Sequence, residues 1–220
     1  MKLVHKIIVI IFLNIAVFNI TYSKNIDIEK SFLKNQVLTD QVARLASFYP
    51  KGVIKPKTEQ DILKAVSFAK VMKLKIALKS GGFSQGGQWA LNDGLILDLS
   101  EYKGIKFHTN DNSYTAKVGS TWGEIQEVLN PVGRAVTVQQ SSNIFHVGGA
   151  LGINAHGRDI EYGQIINVTN SIKVLLPSGE VVRASSSNEY ANEFKKIIGG
   201  LGLSGVILEA NLKTRPNKIY

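Results

Sequence analysis

The chain has 220 residues, 44% of them hydrophobic and 20% charged, which permits a substantial core and excludes a compositionally disordered protein. A formal charge of +9 does not make a nucleic-acid face, because 21 lysines and 5 arginines are scattered rather than gathered on one periodic surface, so no nucleic-acid partner is expected. The absence of cysteine excludes disulfides, thiolate metal sites and a cysteine nucleophile.

Lys2 and Lys6 precede an apolar run over residues 7–18, and Thr21-Tyr22-Ser23 closes it with small residues where a signal peptidase reads. Residues 1–23 therefore read as a signal peptide, with a mature chain starting near Lys24 in the periplasm or outside the cell. The run is interrupted by Asn14 and Asn19 and is shorter than the roughly 20 residues that span a bilayer, and an uncleaved membrane anchor is the alternative. Residues 24–51 form a mixed polar segment with a predicted helix over 31–38.

Regular organisation begins at Gly52. Val53 and Ile54 predict a strand, and Thr58 with Asp61 three residues on predicts a capping box. Ile62, Ala65, Val66, Ala69 and Met72 then recur at helical spacing. Residues 76–78 read as the next strand, SGGFSQGGQ follows over 80–88, and 95–99 reads as a third strand. Further on, a strand over 114–118 leads to a helix over 121–129 that Pro131 and Gly133 terminate. The glycine-rich connection IFHVGGALGINAHGRD occupies 144–159. Residues 172–176 and 181–184 flank Pro177-Ser178-Gly179-Glu180 as a hairpin, a short helix over 189–198 runs into GGLGLSG, and 206–212 alternates as a last strand.

A glycine loop after a strand offers unshielded backbone N–H groups that form a concave site for phosphate oxygens. Residues 80–88 fit that description, with hydroxyl and amide groups from Ser80, Ser84, Gln85 and Gln88 in addition. Hydrogen bonds to a charged group contribute about 1.5 to 3 kcal/mol each, so a few of them suffice to anchor a diphosphate. Gly200-Leu201-Gly202-Leu203-Ser204-Gly205 is a literal GxGxxG, but it follows a helical pattern and opens a strand, the reverse of a nicotinamide-binding turn. No Walker A loop and no GxSxG elbow occurs. His108, His146 and His156 lack ligand spacing, so no metal is expected. His156, flanked by Ala155 and Gly157, is the histidine with a functional reading; a satisfied structural histidine is the competing one. Trp89 and Trp122 read as core or rim residues.

SGGFSQGGQ, HVGGALGINAHGRD, SIKVLLPSGEVV and GGLGLSGVILEANL, in that order and spacing, resemble the FAD-binding domain of the vanillyl-alcohol oxidase and p-cresol methylhydroxylase superfamily. Within it the HG and GLSGVIL sequences are most similar to decaprenylphosphoryl-ribose oxidases and to sugar or aldonolactone oxidases. The resemblance covers residues 52–215 and implies an α+β fold of two lobes, about 52–110 and 111–215, with FAD between them. It implies that the run from Ser80 to Ala90, above all Ser80, Gly81, Gly82, Phe83, Ser84, Gln85, Gly86, Gly87 and Gln88, cradles the pyrophosphate, and that Ser141, His146, Val147, Gly148 and Gly149 line the cofactor. Ile153, Asn154, Ala155 and His156 would run beside it, and Val206 would face the adenine end. The chemistry implied is oxidation of a hydroxylated, sugar- or lactone-like substrate by hydride transfer to flavin N5.

Two departures from the family follow. Phe83 stands where many relatives carry a histidine bonded covalently to the flavin, so non-covalent FAD is expected. The chain also ends where relatives continue into a substrate-binding cap, so catalytic residues cannot be carried over, although His156 and Arg158 fall near the flavin in this reading. A partner chain or a second copy is expected to complete the site. The alternatives are a non-catalytic flavin-binding module and an exported basic domain that binds a polyanion.

Overall fold

The computed structural model describes residues 38–39 and 47–218. The signal-peptide reading and most of the expected 31–38 helix lie outside these residues. Leu38 is described, and it belongs to a strand.

The first sheet is parallel. β3 (Gly52–Ile54) leads through α1 (Glu59–Val71) to β4 (Ile76–Lys79), and β5 (Leu95–Asp98) inserts between them to give the order β3-β5-β4. α1 starts where expected: Thr58 Oγ1 accepts from the Asp61 N–H and the Asp61 carboxylate accepts from the Thr58 N–H, a reciprocal capping box. Ile62, Ala65 and Ala69 face the core. Met72 does not, because the helix ends at Val71 and Lys73 turns the chain at φ 53°, which leaves Met72 exposed.

β5 is buried at every position because both of its faces are covered. Leu95 and Leu97 join the main core, and Ile96 points the other way onto Phe48 and Trp89. Phe48 comes from the antiparallel pair β1 (Leu38–Thr39) and β2 (Ser47–Phe48), and its ring meets Trp89 edge-on at 4.9 Å.

The second sheet is antiparallel, in the order β10-β9-β11-β7-β6. Its strands are β6 (Ile105–His108), β7 (Ser113–Lys117), β9 (Thr169–Leu175), β10 (Val181–Ala184) and β11 (Val206–Pro216). β8 (Arg134–Val136) pairs with the far end of β11. β9 and β10 form the expected hairpin, closed by Leu176 N–H to Glu180 O and Gly179 N–H to Leu176 O, both 2.9 Å. Sheet membership changes between β5 and β6.

Three helices pack on this sheet: α2 (Trp122–Leu129), α3 (Val147–Gly152) and α4 (Ala191–Ile197). Their buried residues, Trp122, Ile125, Leu129, Val147, Ala150, Leu151, Phe194 and Ile197, belong to the same apolar cluster as the inner residues of both sheets. The fold is thus an α+β mixture with one main core. The sequence reading did not anticipate β1, β2, β6, β8 or α3. Among the described residues no helix is long and apolar enough to cross a membrane.

Candidate functional site

A cleft of about 520 Å³ opens between the loop that leaves β4 and the segment carrying α3. That volume lies within the ordinary range for small-molecule sites. Leu78, Leu99, Val118 and Ile207 give it an apolar base.

The glycine loop forms one wall and is pinned at both ends. At its start the Lys79 ammonium lies 2.8 Å from Asp98 Oδ2 and donates to Ser80 O at 3.2 Å. The same ammonium sits 5.6 Å from the centre of the Trp89 ring, and Trp89 in turn is buried against Phe48 and Ile96. Between these anchors the N–H groups of Gly82, Phe83, Ser84 and Gln85 have no partner among the described residues. Gln88 Oε1 accepts from the Gly86 N–H at 3.1 Å and closes the loop on itself. Glycine at 81 permits the close approach of two rings: a Cβ there would lie 2.5 Å from Phe83 Cε2 and 2.6 Å from His146 Nδ1, and both rings would have to move.

The opposite wall is built by a strip of chain running back along the β7–α2 connection. Trp122 N–H donates to Phe145 O, Val147 N–H to Ser120 O and Gly148 N–H to Val118 O, each 3.0 Å. Val147 and Gly148 thus spend their N–H groups within the protein, whereas the Gly149 N–H, at the cleft, has no partner among the described residues. Trp122, wholly buried, donates from Nε1 to Gln140 Oε1 at 2.9 Å and fixes that amide in the cleft wall. The C-terminal end of α3 takes up the third glycine loop, with Gly199 N–H donating to Leu151 O and Leu201 N–H to Gly152 O. Gly202 lies at φ 77° with Leu78 Cδ1 2.8 Å from where a Cβ would be, so this turn too requires glycine.

Of the residues singled out from the sequence, Ser80, Gly81, Gly82, Phe83, Ser84, Gln85, Gln88, His146, Gly148, Gly149 and Ile153 line the cleft. Gly86, Gly87, Ser141, Val147, Asn154, Ala155, His156 and Val206 do not. Val147 and Ala155 are buried in the core beneath it, and Val206 is buried between the lining residues Gly205 and Ile207. Asn154, at φ 48°, ties α3 to the following segment through Gln164 Oε1 and the Ile166 N–H. His156 is exposed, its Nδ1 2.9 Å from Gly157 O.

Sequence reasoning missed Lys79, Gln140, Phe145, Leu201, Gly202 and Ile207 as cleft residues. GLGLSG enters the sequence reading as a rejected nicotinamide turn and as part of the family resemblance, with only the following Val206 placed at the cofactor. Its signal was a cluster of glycines opening a buried strand, which brings backbone close to whatever lies above.

Five buried side-chain polar atoms among the described residues have no hydrogen-bond partner, and three belong to cleft-lining residues: Ser84 Oγ, Trp89 Nε1 and His146 Nδ1. Native folds seldom leave such atoms unpaired without a reason. Unpaired donors on a glycine loop, beside an apolar slot, suit a ligand with a charged and a flat apolar part.

Residues 50–185 match the family model for the FAD binding domain. The chain belongs to the FAD binding domain family. Curated relatives include an FAD-dependent monooxygenase of Arthrobotrys oligospora, 26% identical over 76% of this chain and 32% of its own length. Cytokinin dehydrogenase 3 of Oryza sativa subsp. japonica is 29% identical over 80% of this chain and 35% of its own. The mitochondrial D-lactate dehydrogenase [cytochrome] of Arabidopsis thaliana is 29% identical over 74% and 30%. The chain thus spans about a third of the length of these relatives. The FAD binding domain match covers the glycine loop, the His146 strip and α3, the segments that build most of the cleft.

The residues present fit FAD. The N–H groups of 82–85, without partners among the described residues, suit the diphosphate, and the apolar base with Phe83 and Phe145, whose rings meet at 5.1 Å, suits a planar ring.

Proposed function

We propose that this chain is the FAD-binding part of an FAD-dependent oxidoreductase that removes hydride from a hydroxylated, sugar- or lactone-like carbon. The observation that carries the reading is the glycine loop of the FAD binding domain match, anchored by Lys79 and Trp89, with four consecutive N–H groups that have no partner among the described residues. The parallel and antiparallel sheets would act as two lobes that grip the cofactor between them.

When bound, FAD supplies a two-electron acceptor. The loop N–H groups and the Ser84 hydroxyl would hold its diphosphate, and Leu99, Val118 and Ile207 would exclude water from beneath its ring. Phe83 carries no nucleophile, which supports non-covalent attachment. Acid precipitation should release the flavin into the supernatant, and fluorescence that stays with the denatured chain would refute that attachment.

Among the described residues the cleft lining includes no carboxylate, and its single ammonium is already paired. Those two facts support a division of labour in which this part binds the cofactor and further protein supplies the acid–base groups and substrate clamp. Holding a reacting carbon within about 3 to 3.5 Å of the acceptor is worth roughly 7 to 11 kcal/mol of barrier. Phe83, Ile153 and Leu201 leave apolar surface exposed around the cleft, at 40%, 57% and 52%, which supports cover by a partner chain or a second copy.

The test is to purify the chain from Lys24 onward, load FAD and follow anaerobic bleaching against a panel of sugars and lactones. Stoichiometric FAD binding with slow reduction is the expected result. Rapid reduction by the chain alone would overturn the division of labour, and failure to bind FAD would overturn the function. The basic and apolar N-terminus supports export, and intact-mass measurement of the exported protein should show residues 1–23 missing.

A further inference from the structure

His146 occupies the N-cap of α3, a position where Ser, Thr, Asn or Asp ordinarily accepts a hydrogen bond from the helix. Its side chain makes no such bond. The imidazole is turned instead onto the glycine loop, so closely that a Cβ on Gly81 would lie 2.6 Å from Nδ1, and the same point is 2.5 Å from Phe83 Cε2. Histidine, Gly81 and Phe83 are therefore packed at contact, and Nδ1 is buried with no partner.

We propose that His146 is a positioning residue for the glycine loop: its neutral imidazole seats Gly81 and Phe83 in the cofactor-holding conformation, and a proton on that ring unseats them. The inference rests on the FAD-binding reading of this cleft.

The charges around the ring explain why a proton is not tolerated there. The loop over 80–88 contributes no charged side chain. The end of β4 contributes Lys79, the end of β5 Asp98, the segment before β6 Lys103 and helix α2 Glu124. Both carboxylates are already claimed, Asp98 by Lys79 and Glu124 by Lys103 and the Thr121 N–H. An imidazolium would find both carboxylates already paired and two ammonium groups among its charged neighbours. Burial first, and then the Lys103 charge, hold the imidazole below its ordinary range, while Glu124 and Asp98 oppose this incompletely.

The direction of the pH effect follows. The seated state binds the proton less readily than a state with the ring released to solvent, whose pKa is about 6.5. Seating is complete above that value and is lost as pH falls below it, at no more than about tenfold per pH unit because one proton is involved.

The experiment measures FAD dissociation constants between pH 8 and pH 5.5 by flavin fluorescence, for the wild type, His146→Thr and His146→Gln. It also follows the His146 ring and the Gly81 and Gly82 amides by NMR in the cofactor-free wild type. Wild-type affinity should be level above neutrality and weaken progressively from about pH 6.5 to pH 5.5, by no more than about tenfold. Both variants should bind with no slope, the threonine restoring an ordinary helix cap. In the cofactor-free protein, the Gly81 and Gly82 amides should shift together with the His146 ring as it titrates. A level wild-type profile, variants that keep the slope, or glycine amides that ignore the His146 titration would each overturn the proposal. Absence of FAD binding at every pH would overturn the cofactor reading instead, and the NMR titration would still decide whether His146 seats the loop.

Discussion

Lys79 carries the only formal charge among the described cleft-lining residues, and Asp98, whose side chain is 6% exposed, neutralises it. The pair is a tether more than a ligand: its cation also holds Ser80 O and faces Trp89, three contacts that orient the loop from below. Lys79→Met should destabilise the fold by about 3 kcal/mol in urea denaturation, because a nearly buried carboxylate loses its partner. Adding Asp98→Asn should recover most of that loss, and a double variant no more stable than Lys79→Met would show that the ammonium acts by packing alone. With no unpaired cation in the cleft, FAD affinity should change less than about twofold between 50 and 300 mM salt. A steep salt dependence would mean that lysines outside the cleft reach the diphosphate.

Elements that announce themselves through local chemistry were the ones legible in the sequence. Thr58 with Asp61 and Thr121 with Glu124 both form the reciprocal caps that start α1 and α2. Thr121→Ala should cost about 1 kcal/mol in urea denaturation, with no change in the denaturant slope. The Pro177 to Glu180 turn likewise signals its hairpin directly. β6 and β8 are only three or four residues long and carry little signal of their own: β8 is held by β11, far along the chain, whereas β6 pairs with its neighbour β7 across the turn at 109–112, a hairpin too short on its first arm to stand out. The helix α3, VGGALG, is hidden by its own composition: glycine disfavours a helix, and here tertiary hydrogen bonds from Val147 and Gly148 to Ser120 and Val118 overrule it. The same limit applies to the cleft. Its glycine loop could be read as a phosphate cradle, whereas Gln140 is fixed there only by Trp122, 18 positions away, a contact that no local pattern encodes.

The whole molecule answers to alkali through two tyrosines. Burial pushes the Tyr102 hydroxyl up to about 12, with Glu59 and Glu209 adding to the effect, and burial alone pushes Tyr114 up strongly. In each case the fold keeps a proton that the unfolded chain releases near pH 10, so stability should hold to about pH 10 and fall above it. Tyrosinate absorbance should show two hydroxyls that ionise only together with loss of circular dichroism. Early, non-cooperative titration of all seven tyrosines would contradict their burial.

β11 occupies the middle of the antiparallel sheet, with β9 on one side and β7 and β8 on the other, yet it is the last described strand in chain order. During synthesis β7 and β9 leave the ribosome without the strand that joins them, each presenting an open edge. The sheet, and the cleft wall formed where β11 begins, can close only after residues 206–216 have emerged. Folding of this half of the molecule is therefore a late, long-range event, slow by the separation of the pairing segments in sequence. The nascent chain is most exposed to aggregation, and most in need of a chaperone, in the interval just before its central strand arrives.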